Sequence, residues 1–152
     1  MGTGYGCLYM PHFGAWAPSS GTVRREAVAV YRDHVHSYSP DLHARGLKRN
    51  DTIIRARALC PDAQFFLRDV EAEKAYREAI IGQLYSITPQ ILPIDSTYSP
   101  LWVLVQGFSR QAFEQLLKEI DAHGGYAASP AFAQLAALYA NSGALCIVPR
   151  HE

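Results

Sequence analysis

The stretch HARGLKRNDTIIRARALCPDAQF, residues 43–65, decides the reading of this chain. Thr52–Leu59 has the pattern of a short helix, with Asp51 or Thr52 able to cap its start and Pro61 lying beyond its end. Just upstream, Pro40–Arg45 fits another short helix: Ser39 suits the cap, Pro40 the first helical position and Gly46 the residue after the end. Downstream, Ala63–Leu67 is a strand candidate. The segment also concentrates cations, Arg45, Lys48, Arg49, Arg55 and Arg57, with few aromatics between them, so stacking on single-stranded bases is not indicated.

Moving toward the N-terminus, Ala27–Tyr31 (AVAVY) is an apolar, β-prone run, and His34–Tyr38 is its expected hairpin partner across an Arg32-Asp33 turn. His34 and His36, two apart on a strand, are expected to share a face. Such a pair can begin a zinc site, but no third or fourth ligand follows at motif spacing, and a hairpin histidine pair is the simpler reading. Gly14–Gly21 reads as a loop or broken turn, and Cys7–Met10 as a short strand stopped by Pro11.

Toward the C-terminus, Asp69–Ile87 reads as a long amphipathic helix with Ala72, Ala75, Tyr76, Ala79, Ile80 and Leu84 on one stripe. Ile91–Ile94 and Leu101–Val105 read as strands around a turn rich in Pro and Ser. Ser109–Ala122 is a second amphipathic helix, capped by Ser109, with Phe113, Leu116, Leu117 and Ile120 inward and Gly124-Gly125 expected to end it. Tyr126–Ala128 is a short strand, Pro130–Tyr139 an alanine-rich helix and Leu145–Val148 a last strand. The order predicts an α+β fold, helices packed on one face of a mostly antiparallel, ferredoxin-like sheet.

The 152 residues suit one or two small domains with a real core. The 14 basic and 14 acidic residues cancel overall. They are unevenly spread: nine Lys/Arg face six Asp/Glu through Asp69, and five face eight from Val70 onward. A basic front half can face a phosphate backbone, or it can be a solvated surface. Cys7, Cys60 and Cys146 are far apart and form no CxxC, which predicts small buried thiols in a reducing compartment. No signal peptide or membrane span is evident, so a cytoplasmic location is expected. No P-loop, GxSxG elbow or Cys/His dyad is visible.

With Gly46, Leu47, Lys48, the Ala56-Arg57-Ala58 helix and Cys60-Pro61 in order, residues 43–65 resemble the fingers signature of Y-family (lesion-bypass, DinB/UmuC-like) DNA polymerases. Val28–Tyr31 (VAVY) is similar to that family's "pVaV" strand, and ITPQILPID to its approach to the second catalytic strand. ASPAFAQLAALYANSGALCIV, residues 128–148, is similar to its late lysine-containing helix. No one motif is specific; their order across nearly the whole chain is. The Thr-Pro after the long helix and the weakened acidic positions most resemble the catalytically inactive ImuB-type branch, which acts in bacterial mutagenic repair complexes. The resemblance implies a palm strand in residues 1–17, a small α/β fingers subdomain in 18–68 and palm in 69–149, with the helix-hairpin-helix thumb and little finger absent from a chain that stops at Glu152.

Carried over residue by residue, the resemblance implies a degenerate catalytic site. The family's first strand ends in an aspartate, where this chain has Pro11; two positions on stands Phe13. The acidic pair of the second strand falls either on Asp95-Ser96 or on Ser99-Pro100. The bulky residue that excludes ribonucleotides corresponds to Trp16, the triphosphate-touching YxAR element to Pro40 and His43, and the late lysine to Ala140 or Asn141. His12 and His43 are expected beside the old cleft, as phosphate or metal contacts or simply as structural side chains. Two-metal phosphoryl chemistry needs ions about 4 Å apart clamped by convergent carboxylates. Only Asp95 is in a plausible place, and its alternative role is to cap a turn. The expectation is a non-catalytic accessory in translesion synthesis, with no cofactor, binding repair or replication proteins and, weakly and without sequence preference, DNA. Lys48, Arg49, Arg55 and Arg57 carry that DNA contact. The alternatives are an active template-directed nucleotidyltransferase with a rebuilt, Mg²⁺-dependent site, and a protein-binding scaffold with no DNA role.

Overall fold

A computed structural model describes residues 4–93 and 99–149. The fold is α+β, with eight strands and five α-helices among the described residues, and it divides into two compact units.

The first unit comprises Met1–Met10, Glu78–Thr97 and Leu101–Glu152. Its sheet is ordered β5-β6-β1-β7-β8, where β1 is Tyr5–Met10, β5 Gln90–Pro93, β6 Leu101–Gln106, β7 His123–Ala127 and β8 Leu145–Ile147. All pairs are antiparallel except β7 with β8. Alternation along β1 sends Leu8 and Met10 to one face and Cys7 to the other, and all three are fully enclosed. The Cys7 thiol, desolvated by that burial, is pushed up to about 12 and is inert packing.

Helix α4 (Arg110–Glu119) starts at Ser109, whose hydroxyl accepts from the Ala112 N–H, and buries Phe113, Leu116 and Leu117, with Ile120 just beyond its end also enclosed. It ends there, before Asp121 at φ +51°; Gly124 and Gly125 do not end it but lie inside β7. Their reason for being glycine is approach from both sides. A Cβ on Gly124 would stand 2.3 Å from Leu117 Cδ1 of α4. One on Gly125 would stand 2.1 Å from the Ala133 carbonyl oxygen of α5 (Pro130–Tyr139). Helices therefore cover both faces of this sheet rather than one. Alanines 133, 136 and 137 are the buried stripe of α5 because nothing larger fits over a glycine backbone.

The second unit comprises Pro11–Arg77 and Tyr98–Pro100. Its sheet is β3-β2-β4, with β2 (Ala27–Tyr31) central, antiparallel to β3 (His34–Tyr38) and parallel to β4 (Gln64–Leu67). The Arg32-Asp33 turn carries φ of 50° and 64°, the left-handed pair that a two-residue hairpin requires. Val28, Val30 and Val35 pack on one face with Leu42, Leu47, Ala56 and Cys60, from a 3-10 helix (Pro40–Arg45), the loop after it and α2 (Ile53–Leu59) with its C-cap. Thr52 caps α2 through the Arg55 N–H.

The second face of this sheet, with Ala27, Ala29 and Ser37, takes α1 (Phe13–Trp16) and a 3-10 turn at Ala17–Ser19. The expected loop at residues 14–21 is thus largely helical. Its small residues serve burial: Phe13 through Ala17 are all enclosed.

Helix α3 (Val70–Tyr85) buries Glu73, Tyr76, Ile80 and Leu84, while Ala75 and Ala79, expected on the inward stripe, are exposed. The shift follows from Glu73. Its fully buried carboxylate accepts from Arg68 Nε at 2.9 Å and Nη2 at 3.1 Å, a pairing without which burial would cost several kcal/mol. Ile94, placed at the end of a strand from the sequence, lies outside the described residues.

Candidate functional site

Four of the positions that the sequence marks as replaced carboxylates, Pro11, Phe13, Ser99 and Pro100, fall within the second unit. Asp95 and Ser96 lie outside the described residues. Phe13 is fully enclosed and stacks on Tyr76, ring centroids 5.2 Å apart and planes 8° from parallel. Burial pushes the Tyr76 phenol up to about 12, so it stays neutral.

What fixes α1 is Ser37 on β3. Its hydroxyl donates to the Pro11 carbonyl at 3.0 Å and accepts from the Ala15 N–H at 3.0 Å, tying both ends of the segment to the sheet. Gly14, between them, has no room for a side chain: an added Cβ would meet Ser99 Oγ at 2.9 Å, Ser37 Cβ at 3.0 Å and His36 Cδ2 at 3.2 Å. Phe13, Gly14, Ser37, His36 and Ser99 thus form one tight cluster. The Ser99 hydroxyl and His36 Nε2 are buried there with no hydrogen-bond partner among the described residues.

His34 and His36 lie toward the same face of β3, as the sequence predicts: His34 pairs with Tyr31, and the His36 ring stands 6.4 Å from the Tyr31 ring and against Gly14 of α1. The register shifts between Ala29 and Val30, so Ala29 pairs with Ser37 and Val30 with Val35, leaving His36 as the extra residue of a bulge. His36 is buried while His34 stays exposed with Nδ1 at 2.9 Å from the Arg32 carbonyl. Burial, then the charges of Arg68 and Arg49, hold the His36 imidazole down to about 4, so it is neutral at pH 7. Sequence reasoning missed Ser37 and the burial of His36, because neither a one-residue bulge nor the packing of α1 leaves a mark in an alternation pattern.

The other expected site residues are placed as follows. Trp16 is almost fully enclosed, with the His12 ring edge-on at 4.3 Å and the Arg24 guanidinium 4.9 Å over its face. Pro40 opens the 3-10 helix, and His43, exposed, stacks on Tyr38 with its Nδ1 at 3.1 Å from the Tyr38 hydroxyl. Lys48, Arg49, Arg55 and Arg57 are all exposed, around the Asn50 turn and along α2. Arg55 lies 3.5 Å from Asp51, Arg57 rests 5.2 Å over the Phe65 ring, and Arg45 is paired with Glu26 at 2.7 Å.

A divalent ion of the Mg²⁺ type takes near-octahedral oxygen ligands, usually including one or two carboxylates. Pro11, Phe13, Ser99 and Pro100 offer one side-chain hydroxyl between them, so these four do not fit such an ion. Among the described residues no three His, Cys, Asp or Glu side chains stand together as metal ligands.

Residues 8–138 match the model of the impB/mucB/samB family. The chain belongs to that family. No curated protein sequence matches it. Among solved structures, a Dbh ternary complex aligns with a TM-score of 0.74 at 13% identity, over 95% of this chain and 47% of that one. DinB from Sulfolobus solfataricus aligns with a TM-score of 0.72 at 16% identity, over 95% of this chain and 48% of its own. An insertion ternary complex of Dbh DNA polymerase gives 0.74 at 14% identity, over 96% and 48%. The fold is that of a Y-family polymerase palm and fingers, and the chain spans about half the length of these relatives. No helix among the described residues is long and apolar enough to cross a membrane.

Proposed function

We propose that this family member is a catalytically degenerate, ImuB-type Y-family protein, acting in the cytoplasm as a non-catalytic accessory of translesion synthesis. The observation that carries the reading is the segment from Pro11 to Phe13. Pro11 stands where the family resemblance places an aspartate; two positions on, where the family has an acidic or neutral residue, the fully buried Phe13 ring stacks on Tyr76, and Ser99-Pro100 stands at one of the two alignments of the second acidic pair. Two-metal displacement depends on convergent oxygen ligands to neutralise the attacking and leaving oxygens, and Pro11, Phe13, Ser99 and Pro100 cannot supply that charge.

DNA contact belongs to the same proposal. The solved relatives include DNA polymerases, and Lys48, Arg49, Arg55 and Arg57 are all exposed within one unit. Exposed cations of this kind support salt-sensitive, sequence-independent affinity in the range of about 10⁻⁴–10⁻⁶ M. Primer extension by the purified protein with Mg²⁺ and with Mn²⁺ tests the reading. It predicts no incorporation; extension abolished by Asp95→Ala would establish an enzyme with a rebuilt metal site.

A further inference from the structure

Strand β4 ends its sheet. The Gln64 N–H donates to the Glu26 carbonyl and the Arg68 N–H to that of Val30, so the parallel ladder with β2 uses alternate residues. The N–H and C=O groups of Phe65 and Leu67 therefore point away from β2, and no bond to them occurs among the described residues. Open strand edges are usually blunted by Lys, Pro or a bulge. Here the edge reads Gln-Phe-Phe-Leu, and Leu67 is 77% exposed.

Beside that edge is a cavity of about 340 Å³ between the sheet and the Ala17–Ser19 turn. Its lining is chiefly apolar, with Pro18, Val23, Ala27, Phe66 and Leu67, and Asp69 is charged and exposed at its margin. The space exists because β2 presents only the methyl group of Ala27 opposite Gln64. An unpaired backbone edge next to an apolar pocket is the arrangement by which sheets accept an added strand: main-chain bonds give affinity and the pocket reads alternate side chains.

We infer that the β4 edge docks an extended segment of a partner protein. The segment inserts an aliphatic side chain into the cavity and sets a basic residue toward Asp69. A helix would leave the Phe65 and Leu67 backbone groups unbonded, whereas an extended chain bonds both. This deepens the accessory reading by giving it a partner-binding surface, and its test is separate from the test of catalysis: primer extension reads one, peptide binding the other.

The probe is an acetylated, amidated peptide, Lys-Val-Thr-Leu-Thr-Val-Lys, titrated to millimolar concentration into the ¹⁵N-labelled full chain. Shifts and slowed exchange centred on the Phe65 and Leu67 amides are expected. N-methylation of the peptide's central residues should abolish them. Leu67→Pro, which removes an outward N–H at an edge position that tolerates proline, should weaken binding about tenfold. Val23→Trp, which closes the cavity from an exposed rim position, should weaken it independently of the edge. The inference is overturned if the Phe65 and Leu67 amides do not respond, or if the shifts fall on α5 or on Lys48 and Arg49 instead. It is also overturned if sedimentation shows the edge already occupied by a second copy of the chain.

Discussion

His36 is the residue where local geometry, charge and stability meet. It is packed against Gly14 of α1 with two arginine charges near it, and its imidazole is held neutral down to about pH 4. In the unfolded chain it titrates at its ordinary 6.5. Between those values the unfolded state binds a proton that the folded state does not, so folding stability falls as pH drops through 6.5 and the loss levels off below about 4. Thermal melts from pH 7.5 to pH 4 should show this decline. His36→Gln should flatten it between pH 6.5 and 5, above most of the carboxylate titration; an unchanged profile in the variant would remove His36 as its source. The neighbouring Ser37 hydroxyl, which ties Pro11 and Ala15 to β3, is the reason this strand cannot slip to restore regular pairing.

Among the elements, β7 is the most constrained, because α4 and α5 meet its two glycines from opposite faces. Gly125→Ala would drive a methyl into the Ala133 carbonyl and the Ala137 nitrogen, 2.1 and 2.5 Å away, both of them backbone atoms that cannot rotate aside. The expected loss is about 3 kcal/mol or more, read from the shift of the urea midpoint. A loss below about 1 kcal/mol would mean α5 stands further off than described. This pair also marks where sequence reading stops. Gly124-Gly125 after an amphipathic helix carries the local signature of a helix end, and only tertiary packing converts it into mid-strand. Glu73 is the same case: a carboxylate on an inward helix position becomes legible only once Arg68 is seen to reach it. By contrast, the Ser109 cap, the Thr52 cap (one of two that the sequence offered), the Arg32-Asp33 hairpin and the Phe113–Ile120 stripe were readable, because each is set by neighbours within a few residues. Of the candidate site, the non-acidic residues at Pro11, Phe13, Ser99 and Pro100 gain meaning only through the family resemblance, while the cluster of Gly14, Ser37, His36 and Ser99 was not legible, since it joins segments far apart in the chain.

For the molecule as a whole, two claims are separable: a fold retained from polymerases and a chemistry lost. The proposed DNA contact belongs with the retained fold. Charge reversal at Lys48 and Arg49 together should leave the melting temperature near that of the parent, since both side chains are exposed. It should weaken DNA binding and make the log–log salt slope shallower by up to about 1.8, two phosphate contacts' worth on duplex DNA. An unchanged slope in the double variant would transfer the DNA contact elsewhere, and no binding at low salt would remove it. The proposed loss of chemistry rests on Pro11, Phe13, Ser99 and Pro100, and the measurement that meets it most directly is template-directed primer extension by the pure protein, with Mg²⁺ and Mn²⁺ in turn. No nucleotide incorporation is predicted with either ion. Metal-dependent extension of the primer, abolished by Asp95→Ala, would contradict the account.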